Sequence, residues 1–243
     1  MGKKKFKWEG KWIWISPEEK KVEEYIYFRK RFFVKKNVSE ANLYITAERD
    51  YECWINGKFV GRGPVLSDPR FKRYDIIKIE NYLEDGENLL SVIVYHDGAN
   101  IESHKMTPYA EYSGLLCQIE ITDDERSYIT AASDSSFKVF SSKGYYNCGI
   151  TFNDSFWPEF YNANLDPYGW KEKKFDDSSW KNAVEVIPEK EGLWGCYHSQ
   201  SHFFPWVNLI PRDIPYLEFI NVYPISLVAG EVIQEREAST HDT

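Results

Sequence analysis

Hydrophobic and polar positions recur along the first half of the chain as short strand-length runs. From Tyr25 to Val34 aromatic and β-branched residues dominate, and Phe28-Arg-Lys-Arg-Phe-Phe-Val mixes apolar with basic positions as a half-buried strand does. Asn37-Val-Ser-Glu-Ala marks a turn, Leu43-Tyr-Ile-Thr-Ala alternates, and Tyr51 to Pro64 reads as a β-hairpin with Asn56-Gly57 at its tip. Both central residues of a type I′ turn need φ > 0, which is why Asn-Gly is preferred there. Tyr74-Asp-Ile-Ile-Lys-Ile follows, then a turn at Glu84-Asp-Gly-Glu-Asn88, then strands at Leu89–Tyr95 and Gly114–Ile121. Strands at such short intervals, with turn residues between them, predict a sandwich or barrel rather than βαβ units.

The pattern loosens downstream. Phe137-Lys-Val-Phe is strand-like, but residues 141 to 180 are rich in Gly, Asn, Asp, Ser and aromatics, which predicts long loops. Asp176-Asp-Ser-Ser-Trp180 resembles a turn that delivers Trp180 to a buried position. Pro205, Pro211 and Pro215 predict extended structure over 194–215, and the charged, small-residue stretch after Ser226 reads as a tail. Near the N-terminus Trp12 and Trp14 stand two apart, on one face of an expected edge or docking strand.

Composition narrows the function classes. A formal charge of −8 argues against a nucleic-acid partner, which calls for a basic field. The basic N-terminus lacks a following apolar core, and no run approaches the roughly 20 apolar residues of a membrane span; the expectation is a cytoplasmic protein with no membrane partner. Cys53, Cys117, Cys148 and Cys196 form no Cys-x-x-Cys pair, so zinc is not indicated. Nine Trp and seventeen Tyr suit sheets and sugar-facing surfaces equally.

Several motifs are similar, in order, to the N-terminal β-sandwich region of bacterial α-L-rhamnosidases of glycoside hydrolase family 78. They are Phe28-Arg-Lys-Arg-Phe, Trp54-Ile-Asn-Gly-Lys-Phe-Val-Gly-Arg-Gly-Pro64, Tyr74-Asp75, Gly86 through Tyr95, Gly114-Leu115, Pro158 through Trp170, Phe175-Asp-Asp-Ser-Ser-Trp180 and Leu209-Ile-Pro-Arg-Asp-Ile-Pro215. The resemblance implies an all-β, galactose-binding-like jelly-roll β-sandwich over residues 1–217, with long loops in its second half. Residues 218–243 are then a linker or tail toward a catalytic domain. Where the group often carries Glu-x-Tyr-Asp-Ala-Arg, this chain has Glu159-Phe-Tyr-Asn-Ala-Asn164. The family's catalytic acid and base lie on a later (α/α)₆ barrel, so no catalytic residue is assigned and the chain is not expected to hydrolyse glycosides alone.

The implied function is a non-catalytic accessory or carbohydrate-binding sandwich, with rhamnose-containing glycans and the downstream catalytic domain as partners. The alternative is a structural interdomain or dimerisation module without sugar binding. Sugar recognition combines aromatic platforms with planar polar groups, which makes Trp157, Glu159, Tyr161, Asn162, Asn164, Tyr168 and Trp170 the candidates; the same aromatics suit packing of the sandwich edge. Hard oxygen donors at Asn153, Asp154 and Asp166 suit calcium, although they form no EF-hand loop. Asp176 and Asp177 are explained by turn chemistry.

Overall fold

The computed structural model describes residues 6–16, 24–35, 37–68, 71–96, 113–124, 126–146, 159–186, 192–196, 199–203, 208–218, 220, 223 and 225–226, with backbone alone for 192–203. In chain order the first strands are β1 (Ile13–Trp14), β2 (Glu24–Val34), β3 (Val38–Ala47), β4 (Asp50–Ile55), β5 (Lys58–Gly63), β6 (Lys72–Lys78), β7 (Gly86–His96), β8 (Leu115–Asp123), β9 (Ser127–Ala132) and β10 (Lys138–Ser141). Short strands follow: β11 (Tyr145–Tyr146), β12 (Phe160–Tyr161), β13 (Lys181–Asn182), β14 (Val184–Glu185), β15 (Gly192–Cys196), β16 (Ser199–Phe203) and β17 (Leu209–Pro211). Residues Met1–Arg212 form one compact unit and Asp213–Thr243 a second. Within the second, Ile214, Leu217, Ile220, Tyr223 and Ile225 are exposed. No helix among the described residues is long and apolar enough to cross a membrane.

The fold is the expected all-β jelly-roll sandwich. One sheet runs β13-β10-β2-β7-β4-β5; the other runs β14-β1-β8-β3-β6-β17, with β9 also paired to β8. Alternation along the strands aims one set of side chains inward from each sheet. Ile26, Phe28, Phe32 and Val34 of β2 and Leu90, Val92 and Val94 of β7 meet Leu43 and Ile45 of β3 and Leu115, Cys117, Ile119 and Ile121 of β8 in one core. Burial of each large side chain there contributes about 1.5–3 kcal/mol. The longest ladder pairs β2 with β7 antiparallel, Phe28 opposite Val92 and Tyr25 opposite Tyr95, so the odd-numbered residues of both strands share the outer face.

The Asn-Gly hairpin has the geometry its sequence demands, with φ of 52° at Asn56 and 79° at Gly57. Asn56 does more than bend the chain. Its amide donates to the Tyr82 carbonyl at 3.0 Å and to Asn88 Oδ1 at 2.8 Å, while Leu89 N–H donates to Asn56 Oδ1 at 2.9 Å. Asn88 is fully buried and in turn donates to the Glu84 and Gly86 carbonyls. The hairpin tip is thereby tied to the turn that launches β7.

The N-terminal stretch corrects one expectation. β1 lies between β14 and β8 rather than at an edge, and Trp12 and Trp14 do not share a face. Trp14 enters the main core with Ile13, while Trp12 packs against Leu116 beside Trp8. The strand is only two residues long, so alternation does not extend back to Trp12. Ahead of it, Gln118 accepts from Glu9 N–H at 2.8 Å and donates to the Lys7 carbonyl, holding the segment along β8.

Candidate functional site

The outer face of β2 carries Tyr25, Tyr27, Arg29 and Arg31, and residues 159–180 are strapped across it. The Trp170 ring lies parallel to Tyr27, 4.3 Å between centroids and 7° between planes, and meets Trp54 edge-on at 5.6 Å. Trp180 stacks on Phe140 at 5.1 Å and against the edge of Phe175. Tyr27, Trp54, Trp170 and Trp180 make a second buried cluster outside the sandwich core. The turn at 176–180 is as its Asp and Ser residues predict: Ser178 N–H donates to Asp176 Oδ1 at 2.9 Å, and Trp180 ends up buried.

Arg29 holds the strap down. Its side chain is fully buried, its Nε donates to Asp177 Oδ2 at 2.7 Å, and its Nη atoms reach the carbonyls of Trp170, Glu172 and Phe175. The guanidinium also lies 5.1 Å from the Phe175 ring centroid. Burial lowers the Arg29 pKa, and the hydrogen bond and charge of Asp177 oppose that shift. Arg31 adds bonds to the Lys173 and Phe175 carbonyls.

Asp166 is the second anchor. Its carboxylate accepts from the Tyr27 hydroxyl at 2.6 Å, from Ser142 Oγ at 2.6 Å, and from the backbone N–H groups of Lys143 at 2.9 Å and Gly144 at 3.1 Å. Burial, followed by the bond to Asp166, raises the Tyr27 pKa. In this arrangement Asp166 is an acceptor that ties residues 142–144 and Tyr27 to the strap, and a cation there would compete with four donors for its oxygens. Among the described residues no group of three or more His, Cys, Asp or Glu is placed to hold a metal ion. Asn153 and Asp154 lie outside the described residues.

Beyond the strap the surface becomes a row of tyrosines. Tyr25 packs on Tyr95 at 4.8 Å and stacks on Tyr145 at 3.8 Å and 12°, and Tyr145 meets Tyr161 at 4.5 Å. Strands β11 and β12 pair Tyr145 with Tyr161 and Tyr146 with Phe160, which puts the second pair on the opposite, exposed side of the ribbon. The Tyr25 hydroxyl donates to Glu159 Oε2 at 3.1 Å. Burial and then the Glu159 charge raise the pKa of both Tyr25 and Tyr145, keeping these hydroxyls protonated as donors.

The predicted residues thus divide. Glu159 and Tyr161 join the tyrosine row, Tyr161 remaining 48% exposed. Asn162 caps the short turn Ala163–Leu165 by accepting from Asn164 N–H at 3.1 Å, and both asparagines are exposed beside the row. Tyr168 projects into solvent, whereas Trp170 is buried with its ring spent on Tyr27 and Trp54. Trp157 lies outside the described residues. Sequence reasoning missed Tyr25, Tyr95 and Tyr145. Tyr25 carried a readable signal, because it alternates with Tyr27 on β2 against a core set of Ile26 and Phe28.

Comparison with known proteins places this geometry in context. The sequence model described as "Alpha-L-rhamnosidase N-terminal domain" matches residues 36–196. An α-L-rhamnosidase of Formosa agariphila is 30% identical over 196 residues, covering 74% of this chain and 20% of that protein. The crystal structure of a GH78 family rhamnosidase of Bacillus sp. GL1 matches with a TM-score of 0.65 and 30% identity, over 86% of this chain and 20% of that one. A native α-L-rhamnosidase from Aspergillus terreus shares the fold, with a TM-score of 0.60 and 24% identity over 76% of this chain and 23% of that one. The chain spans about a fifth of the length of these relatives.

Proposed function

Because the chain belongs to the α-L-rhamnosidase N-terminal domain family, we propose that it is a non-catalytic β-sandwich of an α-L-rhamnosidase and presents the tyrosine row to carbohydrate. The observation that carries this reading is the set of partly open rings at Tyr25, Tyr145 and Tyr161 with Glu159 at their border. Aromatic faces take the apolar side of a sugar ring, and a carboxylate with tyrosine hydroxyls beside it fixes the hydroxyl groups. Asn162 and Asn164 extend the polar margin. Rhamnose-containing glycans are the ligands that the family membership favours, and the catalytic part of the same enzyme is the physical partner, reached through the expected linker at residues 218–243. Fold alone supports no sugar; the residues of the row are what make the reading specific.

Calorimetric titration of the 243-residue chain with methyl α-L-rhamnoside and rhamnose-terminated oligosaccharides tests it. Binding that falls at least about fivefold in Tyr161→Ala supports the reading, since loss of one aromatic contact is worth about 1 kcal/mol. Absence of heat with every sugar, both with added calcium and with chelator, overturns it and leaves the structural-module alternative. The calcium arm also tests Asn153, Asp154 and Asp166 as ligands.

A further inference from the structure

The strand by which the chain leaves the sandwich is thinly held. β17 is three residues long, pairs in parallel with β6 alone and lies at the end of its sheet. Leu209 packs against Trp12 and Leu116 but stays half-buried, as does Ile210, and the exposed Pro211 has no N–H to give. The compact unit ends one residue later, at Arg212. The stronger attachment comes from that residue. Its N–H donates to the Tyr74 carbonyl at 2.8 Å, and its Nη1 donates to Asp75 Oδ1 at 3.3 Å. Asp75 is fully buried, stands opposite Ile45 of β3, and accepts the Tyr51 hydroxyl of β4 on its other oxygen at 2.5 Å. Burial raises the Asp75 pKa, and the Tyr51 bond and then Arg212 oppose that rise. Lys72, a weaker influence on the same carboxylate, gives its ammonium to the Glu48 carbonyl. Arg212 is thus the cation bonded to a charge that burial disfavours.

We propose that β17 and Arg212 form a detachable exit latch, which opens as a unit while the sandwich stays folded, and that the Arg212–Asp75 pair sets how often it opens. Segments with few buried apolar contacts open locally at lower cost than a core does, and a short parallel pairing at a sheet edge adds little to hold them. A charge-assisted bond to a buried carboxylate adds much more. Closed, the latch launches residues 213–243 from the β6 edge beside Tyr74. Open, it releases Leu209–Arg212 as well, which lengthens that tether by about 13 Å. One ion pair therefore controls the reach of residues 213–243, independently of any sugar.

Amide hydrogen exchange of the 243-residue chain, followed residue by residue by NMR, tests the latch. In the native chain the amide at position 212 is expected to be at least about tenfold less protected than the slowest amides of the β2–β7 ladder. Arg212→Met should lower protection at position 212 by about tenfold or more and change the ladder by less than about threefold. Asp75→Asn, which keeps an acceptor for the Tyr51 hydroxyl, should have the same local effect. Arg212→Met added to Asp75→Asn should then change position 212 by less than about twofold, because the pair acts as one contact. Equal protection at position 212 and in the ladder of the native chain overturns the latch, since β17 then opens only with the whole sandwich. So does unchanged protection at position 212 in Arg212→Met, or an equal loss there and in the ladder. A full further loss on adding Arg212→Met to Asp75→Asn overturns the role of the ion pair.

Discussion

Replacing Arg29 with methionine removes the clamp that holds residues 166–180 on the sheet while keeping most of the apolar stem in place. The loss is worked from what is left behind. Asp177 loses a 2.7 Å ion pair, and the carbonyls of Trp170, Glu172 and Phe175 lose a shared donor beneath a layer of tryptophan. Breaking one side of a buried pair costs about 3–5 kcal/mol. Asp177 retains 16% exposure, through which water can take up part of its deficit, so the lower end, about 3 kcal/mol, is expected. Against a total of about 5–15 kcal/mol for a domain, that is a large fraction. Urea unfolding followed by tryptophan fluorescence measures the loss. Limited trypsin digestion locates it, because Lys171, Lys173 and Lys174 become cleavable only when the strap lifts. Arg29→Lys should recover less than half, since an ammonium cannot fork to several acceptors at once. A loss below about 1 kcal/mol in Arg29→Met, with the strap still resistant to trypsin, would falsify the clamp.

Three further outcomes follow from buried polar groups. Gly63→Ala drives a Cβ into Asp75 Oδ2, on a carboxylate pinned by the Tyr51 hydroxyl and Arg212, and should cost about 1–3 kcal/mol in thermal unfolding; a neutral effect would mean that Asp75 moves freely. Asn88→Ala leaves the Asn56 amide and the Glu84 and Gly86 carbonyls short of partners and should cost about 2 kcal/mol, read by urea unfolding. Burial, opposed by Glu48 and Asp50, lowers Lys72 to about 8. Between that value and the ordinary lysine range the unfolded chain binds the extra proton, so the Lys72 contribution to stability rises with pH, by up to about 1.4 kcal/mol per pH unit. The stability difference between the native chain and Lys72→Met should change by that slope above pH 8, in the native chain's favour; a difference independent of pH contradicts the assignment.

The hairpin was legible because Asn56-Gly57 is a local backbone requirement, and the strand pattern was legible because the core selects every second residue. The strap was not, for identifiable reasons. Arg29 sits in an alternating strand where a basic residue reads as solvent-facing, yet the carbonyls that bury it come from residues about 140 positions away. Tyr168 and Trp170 offer two equivalent rings to a sequence reader, and Gly169, at a φ of 77°, sends one outward and the other under the strap. At Asp166 composition shows the oxygens but not the four donors that surround them. Of the sugar candidates, Glu159 and Tyr161 lie together in the row, but their neighbours Tyr25 and Tyr95 belong to strands that periodicity assigned wholly to the sandwich.

The most direct test of the tyrosine row is an NMR titration of the 243-residue chain carrying ¹³C-labelled tyrosine with methyl α-L-rhamnoside. Saturable shifts at Tyr25, Tyr145 and Tyr161, lost in Tyr161→Ala while the Tyr27 signal stays in place, are the predicted result. Shifts confined to other tyrosines, or none at millimolar sugar, would contradict it.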